Sequence, residues 1–544
     1  MAYNSFIKID QPANEPAKSY LPGSPERASL KAELARQADE VVKIPLVING
    51  KEVWTDTTVP VVMPHDHDHV IAEVCLAGEA EIRAAVKAAM DAKPAWEALP
   101  TEQRLSIFMK AAALASGPWR DRLNASTMLG QSKTVWQAEI DAGCELSDFL
   151  RFNVYNAYKI YNDQSMTVGT NEWNRIVWRP LEGFVVAISP FNFTSIGCGL
   201  SCAPAIAGNT VLWKPATTAS LSAWYFFQVL RAAGLPDGVI NFLPCHGTDL
   251  SRYALDDKDF GGFHFTGSTR VFADVWKQVG ENISKYRSYP RLVGETGGKD
   301  FVFAHPSADV EAVVTGITRA AFEYQGQKCS ACSRAYIPKS LWPCVKERLL
   351  EEAAKLKVGD VTDFRTMLGA VIDQKAFDRI SAAIDAARES TDAEVLCGGY
   401  DGSKGWFVQP TIIEAKTPTY DTMTREIFGP VLTVYAYEDA DLEEMLKVCN
   451  DSTAYALTGS IYAEDRTAVA HMEWALRNSA GNFYINEKPT GATVGQQPFG
   501  GARGSGTNDK AGTTSNMHRW MSPCSIKEVF VPGTEVSYPY MSEE

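Results

Sequence analysis

Gly183-Phe184-Val185-Val186-Ala187-Ile188-Ser189-Pro190-Phe191-Asn192-Phe193-Thr194 decides the fold. The unbroken apolar run is too short for a helix and reads as a strand buried on both faces, stopped at Ser189-Pro190. The pattern returns at Thr210-Val211-Leu212-Trp213-Lys214, at Val239-Ile240-Asn241-Phe242-Leu243 and at Phe263-His264-Phe265. Helix-length segments separate these runs. Such alternation predicts an α/β fold with a doubly wound parallel sheet, which binds nucleotides at the carboxyl ends of its strands.

Upstream, the first forty or so positions read as an arm broken by Pro12, Pro16, Pro22 and Pro25, with a helical run over 28–41. Residues 44–54 alternate as strand and turn around Asn49-Gly50. Helical spacing follows over 79–92, where Pro94 is expected to end the run, and again over 102–114 and 135–152. Residues 164–178 flank Gly169-Thr170-Asn171 and predict a β-hairpin. After Gly298 a second α/β block runs to about Gly506. The tail beyond it holds an extended stretch over 526–531.

Composition narrows the functional classes. With 544 residues, two or three domains are expected. A formal net charge of −14, with no basic run, argues against nucleic acid and anionic membranes as partners. No apolar run approaches the ~20 residues that span a bilayer. The eleven cysteines show no framework spacing, which fits free thiols in a reducing compartment. Neither a signal peptide nor a transit peptide is visible, so the expectation is cytoplasmic, or the mitochondrial matrix if a presequence has been removed.

The chemistry gathers at Cys329, in Gln325-Gly326-Gln327-Lys328-Cys329-Ser330-Ala331-Cys332, and at Glu295, in Gly294-Glu295-Thr296-Gly297-Gly298. A thiol in a glycine-opened loop beside a cation, with a carboxylate from a second loop, suits a covalent thioester route. Asn192, directly after the first strand, can donate its amide to an oxyanion together with the Cys329 N–H. Cys329-x-x-Cys332 lacks the second ligand pair that zinc needs, and His65-Asp66-His67-Asp68-His69 reads as a solvated turn, so no metal is assigned. Cys198 and Cys202 sit in a small-residue segment and read as packing. No G-x-G-x-x-G follows the first strand. Instead Phe265-Thr266-Gly267-Ser268 opens a helix whose N–H groups suit a phosphate, and Lys214 before Pro215 can reach a ribose.

In this order these motifs resemble the aldehyde dehydrogenase superfamily, together with Gly234-Leu235-Pro236, Glu426-Ile427-Phe428-Gly429-Pro430 and Pro498-Phe499-Gly500-Gly501. Within it, Phe322-Glu323-Tyr324 through Ser333-Arg334, Asn482 through Arg503, and Gly506-Thr507-Asn508-Asp509-Lys510 resemble the glutamate-γ-semialdehyde (1-pyrroline-5-carboxylate) dehydrogenases of proline degradation.

The resemblance implies a Rossmann-like NAD-binding domain over 1–158 and 182–298, with the N-terminal arm, and an α/β catalytic domain over 299–506. Residues 159–181 and 507–544 would form an oligomerisation hairpin and tail that build a homodimer. It implies that Cys329 attacks the aldehyde, Asn192 holds the oxyanion, NAD takes the hydride and Glu295 activates water. Lys214 would meet the adenosine ribose, Ser268 the pyrophosphate, and Glu426 with Phe428 the nicotinamide ribose; Ser189, Pro190, Pro215 and Gly267 complete the cofactor set. Ser330 and the Gly491 backbone would hold the amino-acid head, Phe193 and Phe499 would sandwich the stem, and Lys328 and helical Glu145 would stand nearby. Two positions depart from the pattern. Ala492 replaces a serine beside the head, and Thr217 stands where NAD-specific members carry a glutamate that repels a 2′-phosphate. A proline dehydrogenase is the partner the resemblance suggests. The alternatives are a dehydrogenase for another ω-semialdehyde, a silent scaffold of the same fold, and a cofactor-free cysteine hydrolase, for which no histidine lies in a motif near Cys329.

Overall fold

In the computed structural model, which describes residues 7–164 and 166–543, the opening run is the strand Phe184–Ile188, every residue of it buried. It lies third in a seven-stranded sheet. The order is Arg291–Glu295, Phe260–Thr266, Phe184–Ile188, Thr210–Lys214, Ile240–Phe242, Leu46–Ile48 and Lys51–Val53. The first five strands are parallel, and the last two join antiparallel. From Phe184–Ile188 the chain winds outward through Thr210–Lys214 to Ile240–Phe242. It then returns to the other side at Phe260–Thr266. The strand order therefore reverses between Phe184–Ile188 and Phe260–Thr266, and a crevice opens there at the carboxyl ends.

A second seven-stranded sheet runs Ala393–Cys397, Thr411–Ala415, Val431–Tyr437, Cys332–Pro338, Asp300–Ala304, Thr458–Tyr462 and Asn482–Ile485. Only the edge strand Ala393–Cys397 is antiparallel. The passage between the sheets is short. Glu295 closes a strand of the first sheet and Asp300 opens a strand of the second. Gly298 lies in that passage because a Cβ there would come within 2.3 Å of the Cys329 carbonyl oxygen. The crossing therefore runs directly behind the nucleophile loop.

Several sequence expectations are corrected. The first helix is Pro25–Ala38, begun by the Ser24 cap, so it starts and ends earlier than 28–41. Pro94 does not end its helix, which continues to Ala98. A proline inside a helix costs about 3 kcal/mol. Here the last turn also buries Trp96 to 2% exposure, and its indole donates to the Ala205 carbonyl at 3.0 Å, which offsets that cost. The segment 164–178 is not a self-paired hairpin. Its strand, Glu172–Pro180, pairs antiparallel with the tail strand Met521–Val529 in unbroken register from Met521–Pro180 to Val529–Glu172. Periodicity identifies a strand but not its partner, and here the partner comes from the far end of the chain.

The His65–His69 stretch is not a solvated turn either. His65 is buried, and Asp66–Cys75 is a strand paired with Thr58–Met63. The three imidazoles diverge to Asp360, to the Gly402 carbonyl and to the Ala38 carbonyl. Their turn clamps the second block: Trp406 N–H donates to the Pro64 carbonyl, and His67 packs on the Trp406 ring at 5.3 Å. Cys198 and Cys202 are fully buried on the helix Thr194–Ile206, as expected.

Removing residues 521–544 would strip the long strand Glu172–Pro180 of its partner and leave an open edge beside exposed Trp173 and Val177. Light scattering of the truncated chain is expected to show concentration-dependent aggregation at temperatures where the full chain stays clear.

Candidate active site

The helix Val310–Phe322 ends in a turn that leads to Cys329, the expected nucleophile. Tyr324, Gln325 and Gly326 are all left-handed, at φ 52°, 53° and 62°. For the two side-chain-bearing residues this costs about 1–2 kcal/mol each. Burial and hydrogen bonds hold them there. The wholly buried Gln325 amide donates to the Ser132 and Ala370 carbonyls at 3.0 and 2.8 Å and accepts from Gly369 N–H at 2.9 Å. Gln327 Oε1 accepts from Ile372 N–H at 2.9 Å. Cys329 follows on this pinned turn, partly buried. Burial pushes its thiol up, and the nearby Asp300, Glu295 and Glu426 carboxylates push the same way. The thiol therefore stays protonated until a base takes its proton. Lys328 is not the activating cation that its place in the sequence suggests, because its ammonium pairs with Glu323 at 3.0 Å. Cys332 is a buried free thiol at the start of Cys332–Pro338.

Glu295 is the last residue of Arg291–Glu295, not a loop residue, and lines one cavity together with Cys329 and Phe499. Its Oε2 accepts from Gly501 N–H at 3.3 Å. Burial raises the carboxyl to about 8, with Gly501 and Lys510 pulling the other way. That value suits a base that must both accept and release a proton near neutrality. The Pro498-Phe499-Gly500-Gly501 motif is glycine-rich because it lies against this carboxylate; a Cβ on Gly500 would come 3.0 Å from Glu295 Oε1.

Asn192 is buried, and its Nδ2 donates to the Gln327 carbonyl at 3.0 Å, two residues before the nucleophile. An amide carries two N–H donors, so one remains for an oxyanion. Phe193 and the helix Thr194–Ile206 follow directly. The helix N-terminus is held by Asp141, which accepts from Thr194 and Ser195 N–H at 2.9 and 2.8 Å. Asp141 in turn pairs with Lys133 at 2.8 Å, both side chains fully buried. The Lys133 ammonium sits 3.7 Å over the Phe193 ring and 4.6 Å over Tyr324. Sequence reasoning missed Lys133 and Asp141, because a buried lysine in Gln131-Ser132-Lys133-Thr134 looks like any surface lysine.

On the substrate side, Ser330 Oγ hydrogen-bonds Thr490 Oγ1 at 2.8 Å, which ties the nucleophile turn to the loop that carries Gly491 and Ala492. Gly491 has a φ of +94° and is exposed to solvent. Glu145 is not α-helical; it ends the π-helical turn Glu139–Glu145 and accepts from Ser195 Oγ at 3.1 Å. Burial, reinforced by Asp141, raises its carboxyl to about 8. Phe499 lines the cavity at Cys329, whereas Phe193 packs edge-on to Tyr324 at 6.4 Å.

Of the residues expected to hold a cofactor, Ser189, Pro190, Lys214, Pro215, Gly267 and Ser268 lie at or follow the carboxyl ends of three neighbouring strands of the first sheet. Ser189 N–H donates to the Lys214 carbonyl, and Ser189 Oγ accepts from Trp213, which places Ser189-Pro190 beside Lys214-Pro215. Ser268 caps the helix Thr269–Glu281, whose free N–H groups face the strand ends. Gly267 has no room for a side chain, since a Cβ would meet the Phe265 ring at 2.6 Å, and its N–H donates to the Glu295 carbonyl. Burial lowers the Lys214 ammonium, which has no ion-pair partner among the described residues. A hydroxyl-bearing, anionic dinucleotide fits this set. Glu426 accepts from Gly298 N–H at 2.9 Å, and left-handed Phe428 packs on Phe191.

A thiol-bearing turn on one α/β block and a buried carboxylate beside a strand-reversal crevice on the other fit an aldehyde-oxidising class of protein. Residues 53–526 match the aldehyde dehydrogenase family, and the chain belongs to that family. It is 52% identical over 544 residues to the mitochondrial delta-1-pyrroline-5-carboxylate dehydrogenase of Dictyostelium discoideum, covering 99% of this chain and 98% of that one. Identity to the mitochondrial delta-1-pyrroline-5-carboxylate dehydrogenase of Homo sapiens is 48% over 541 residues, covering 99% and 95%. The crystal structure of the delta-pyrroline-5-carboxylate dehydrogenase from Mycobacterium tuberculosis bound with NAD matches with a TM-score of 0.96 at 50% identity, covering 99% of this chain and 100% of that one. No helix of the described residues is long and apolar enough to cross a membrane.

Two consequences are measurable. Replacing Lys133 with Met leaves Asp141 buried and unpaired, and denaturant unfolding is expected to show a loss of about 3–5 kcal/mol. The Glu295 carboxyl titrates at about 8 when folded, against 4.5 for the unperturbed group. A raised carboxyl binds more protons folded than unfolded between those values, so its ionisation erodes stability as pH climbs through them. Glu295→Gln is therefore expected to raise the unfolding midpoint more at about pH 9 than at about pH 5.

Proposed function

We propose that this chain oxidises L-glutamate γ-semialdehyde, the open form of 1-pyrroline-5-carboxylate, to L-glutamate with NAD⁺. The observation that carries the reading is the shared lining of one cavity by Cys329, Glu295 and Phe499. The full-length similarity to enzymes of that name supports the substrate.

The aldehyde carbon bonds to Cys329 Sγ as the thiol proton passes to water in the cavity. Asn192 Nδ2 and the Cys329 N–H hold the resulting oxyanion. Losing one such donor typically costs ~10²–10³ in rate. Lys214 and Ser268, with Glu426 and Phe428 toward the nicotinamide ribose, would hold NAD⁺, which would supply the hydride acceptor for oxidation of the Cys329-bound carbon to the thioester level. Glu295 takes a proton from water as the water oxygen attacks the thioester carbon; the C–S bond breaks, glutamate leaves, and the Cys329 thiolate takes up a proton to restore the thiol.

Ser330 and the Gly491 backbone hold the amino-acid head. Phe499 and Phe193 flank the stem, with Lys328 and Glu145 behind. Ala492 gives that head one hydroxyl fewer. This favours a second reading, a dehydrogenase for an ω-semialdehyde with a weaker head anchor. Thr217 offers no carboxylate against a 2′-phosphate, so NAD preference rests on other contacts. Two copies pair through Glu172–Pro180 and Met521–Val529, where Trp173 and Phe530 are exposed. Proline oxidation supplies the substrate.

The test is the initial rate of NADH formation from 1-pyrroline-5-carboxylate, wild type beside Cys329→Ala, with NADP⁺ and a straight-chain aldehyde as controls. Cys329-dependent turnover that prefers the pyrroline and NAD⁺ is expected. Equal or better turnover of the plain aldehyde would sink the substrate and leave the class.

A further inference from the structure

The N-terminal arm reaches the loop that carries Gly491 and Ala492. Asn14 Nδ2 donates to the Val494 carbonyl at 2.7 Å, across 480 positions of sequence, and to Asp148 Oδ2 at 2.9 Å. Asn14 Oδ1 accepts from Gln496 Nε2 at 2.7 Å. One side chain thus uses both ends of its amide to join the loop to the helix Leu146–Asn162. The arm itself is firmly seated. Glu15 N–H donates to Asp148 Oδ1 at 2.8 Å, and the Glu15 carboxylate pairs with Arg120 at 2.7 Å and Arg151 at 2.8 Å. The loop also packs directly on that helix. Gly495, at φ +78°, lies against Phe152, whose ring stands 2.0 Å from where a Cβ would be. Phe152 lies one turn beyond Asp148 on the same helix. The loop is therefore held by an arm amide and a helix aromatic.

We propose that Asn14 is a positioning residue for substrate specificity: it fixes the 491–497 loop so that its backbone can hold the charged head of the substrate. This rests on the substrate reading above. The physical demand is specific to this chain. Ala492 offers no hydroxyl, so apart from Ser330 the head depends on main-chain groups of this loop, which cannot reach out by changing rotamer. Main-chain anchors bind well only when the loop is already in place, because a free loop loses conformational entropy on binding. Asn14 touches neither Cys329 nor Glu295, and the bonds that join this region to them, Ser330 to Thr490 and Gly501 to Glu295, lie outside residues 491–497, so the clamp is expected to bear more on the head than on the aldehyde.

The experiment compares full-length wild type, Asn14→Ala, Gln496→Ala and the double variant. Each is assayed with 1-pyrroline-5-carboxylate and with a straight-chain aldehyde that lacks the head, and thermal unfolding is recorded beside them. Asn14→Ala is expected to raise KM for the pyrroline by about fivefold or more, the scale of one lost hydrogen bond, with kcat within about twofold. KM for the plain aldehyde is expected not to change. Gln496→Ala is expected to shift KM the same way, and the double variant to be no worse than the more severe single one, since both cut one clamp. Gln496 is exposed, so its variant carries the test if Asn14→Ala folds poorly. Equal losses with both aldehydes, or an unchanged KM for the pyrroline in a wild-type background that still prefers it, would overturn the proposal. A wild type without that preference would overturn the substrate reading first, and this inference with it.

Discussion

The nucleophile loop and the passage between the two sheets occupy the same few ångströms. Gly298 has the Cys329 carbonyl where its Cβ would be, and Glu295 and Asp300 end and begin strands on either side. Because both sheets terminate here, their strand ends deliver the base, the nucleophile turn and the cofactor crevice to one place. The backbone couples them directly: Gly267 N–H donates to the Glu295 carbonyl, and Glu426 accepts from Gly298 N–H. Movement of either block relative to the other would change the spacing of Cys329 and Glu295.

Electrostatics at this junction depends on burial more than on pairing. Burial pushes the Cys329 thiol up and raises Glu295 to about 8, so both groups favour their uncharged forms near neutral pH. A buried ion pair is used instead for placement. Lys133 and Asp141 fix the helix that follows Asn192 and Phe193, and the same ammonium supports the left-handed Tyr324 turn. Removing one charge would leave the other stranded, which gives the arrangement its rigidity.

The parallel strands, the Gly267-Ser268 helix start and the Cys329 and Glu295 motifs were legible because each is local. A buried strand declares itself by an apolar run, and a tight turn by its glycines. What stayed hidden depends on partners remote in sequence. The strand after Gly169 was legible, but its pairing with residues 521–529 was not. Pro94 looked like a stop because propensity is local, whereas Trp96 finds its place in the core through Ala205. Lys328 beside Cys329 suggested an activating charge until Glu323 was seen to pair with it. His65 to His69 looked solvated because nothing nearby announced the residue 402–406 segment that covers them. Buried charge, as at Lys133 and Asp141, has no signature in a single sequence.

The central claim is that Cys329 carries the acyl group and Glu295 governs its hydrolysis. Intact-protein mass spectrometry of Glu295→Gln, mixed with 1-pyrroline-5-carboxylate and NAD⁺, tests it most directly. The account predicts a stoichiometric burst of NADH followed by a glutamyl mass increment that maps to Cys329 and is removed by hydroxylamine. Steady turnover without an adduct, or an adduct on any other cysteine, would contradict it.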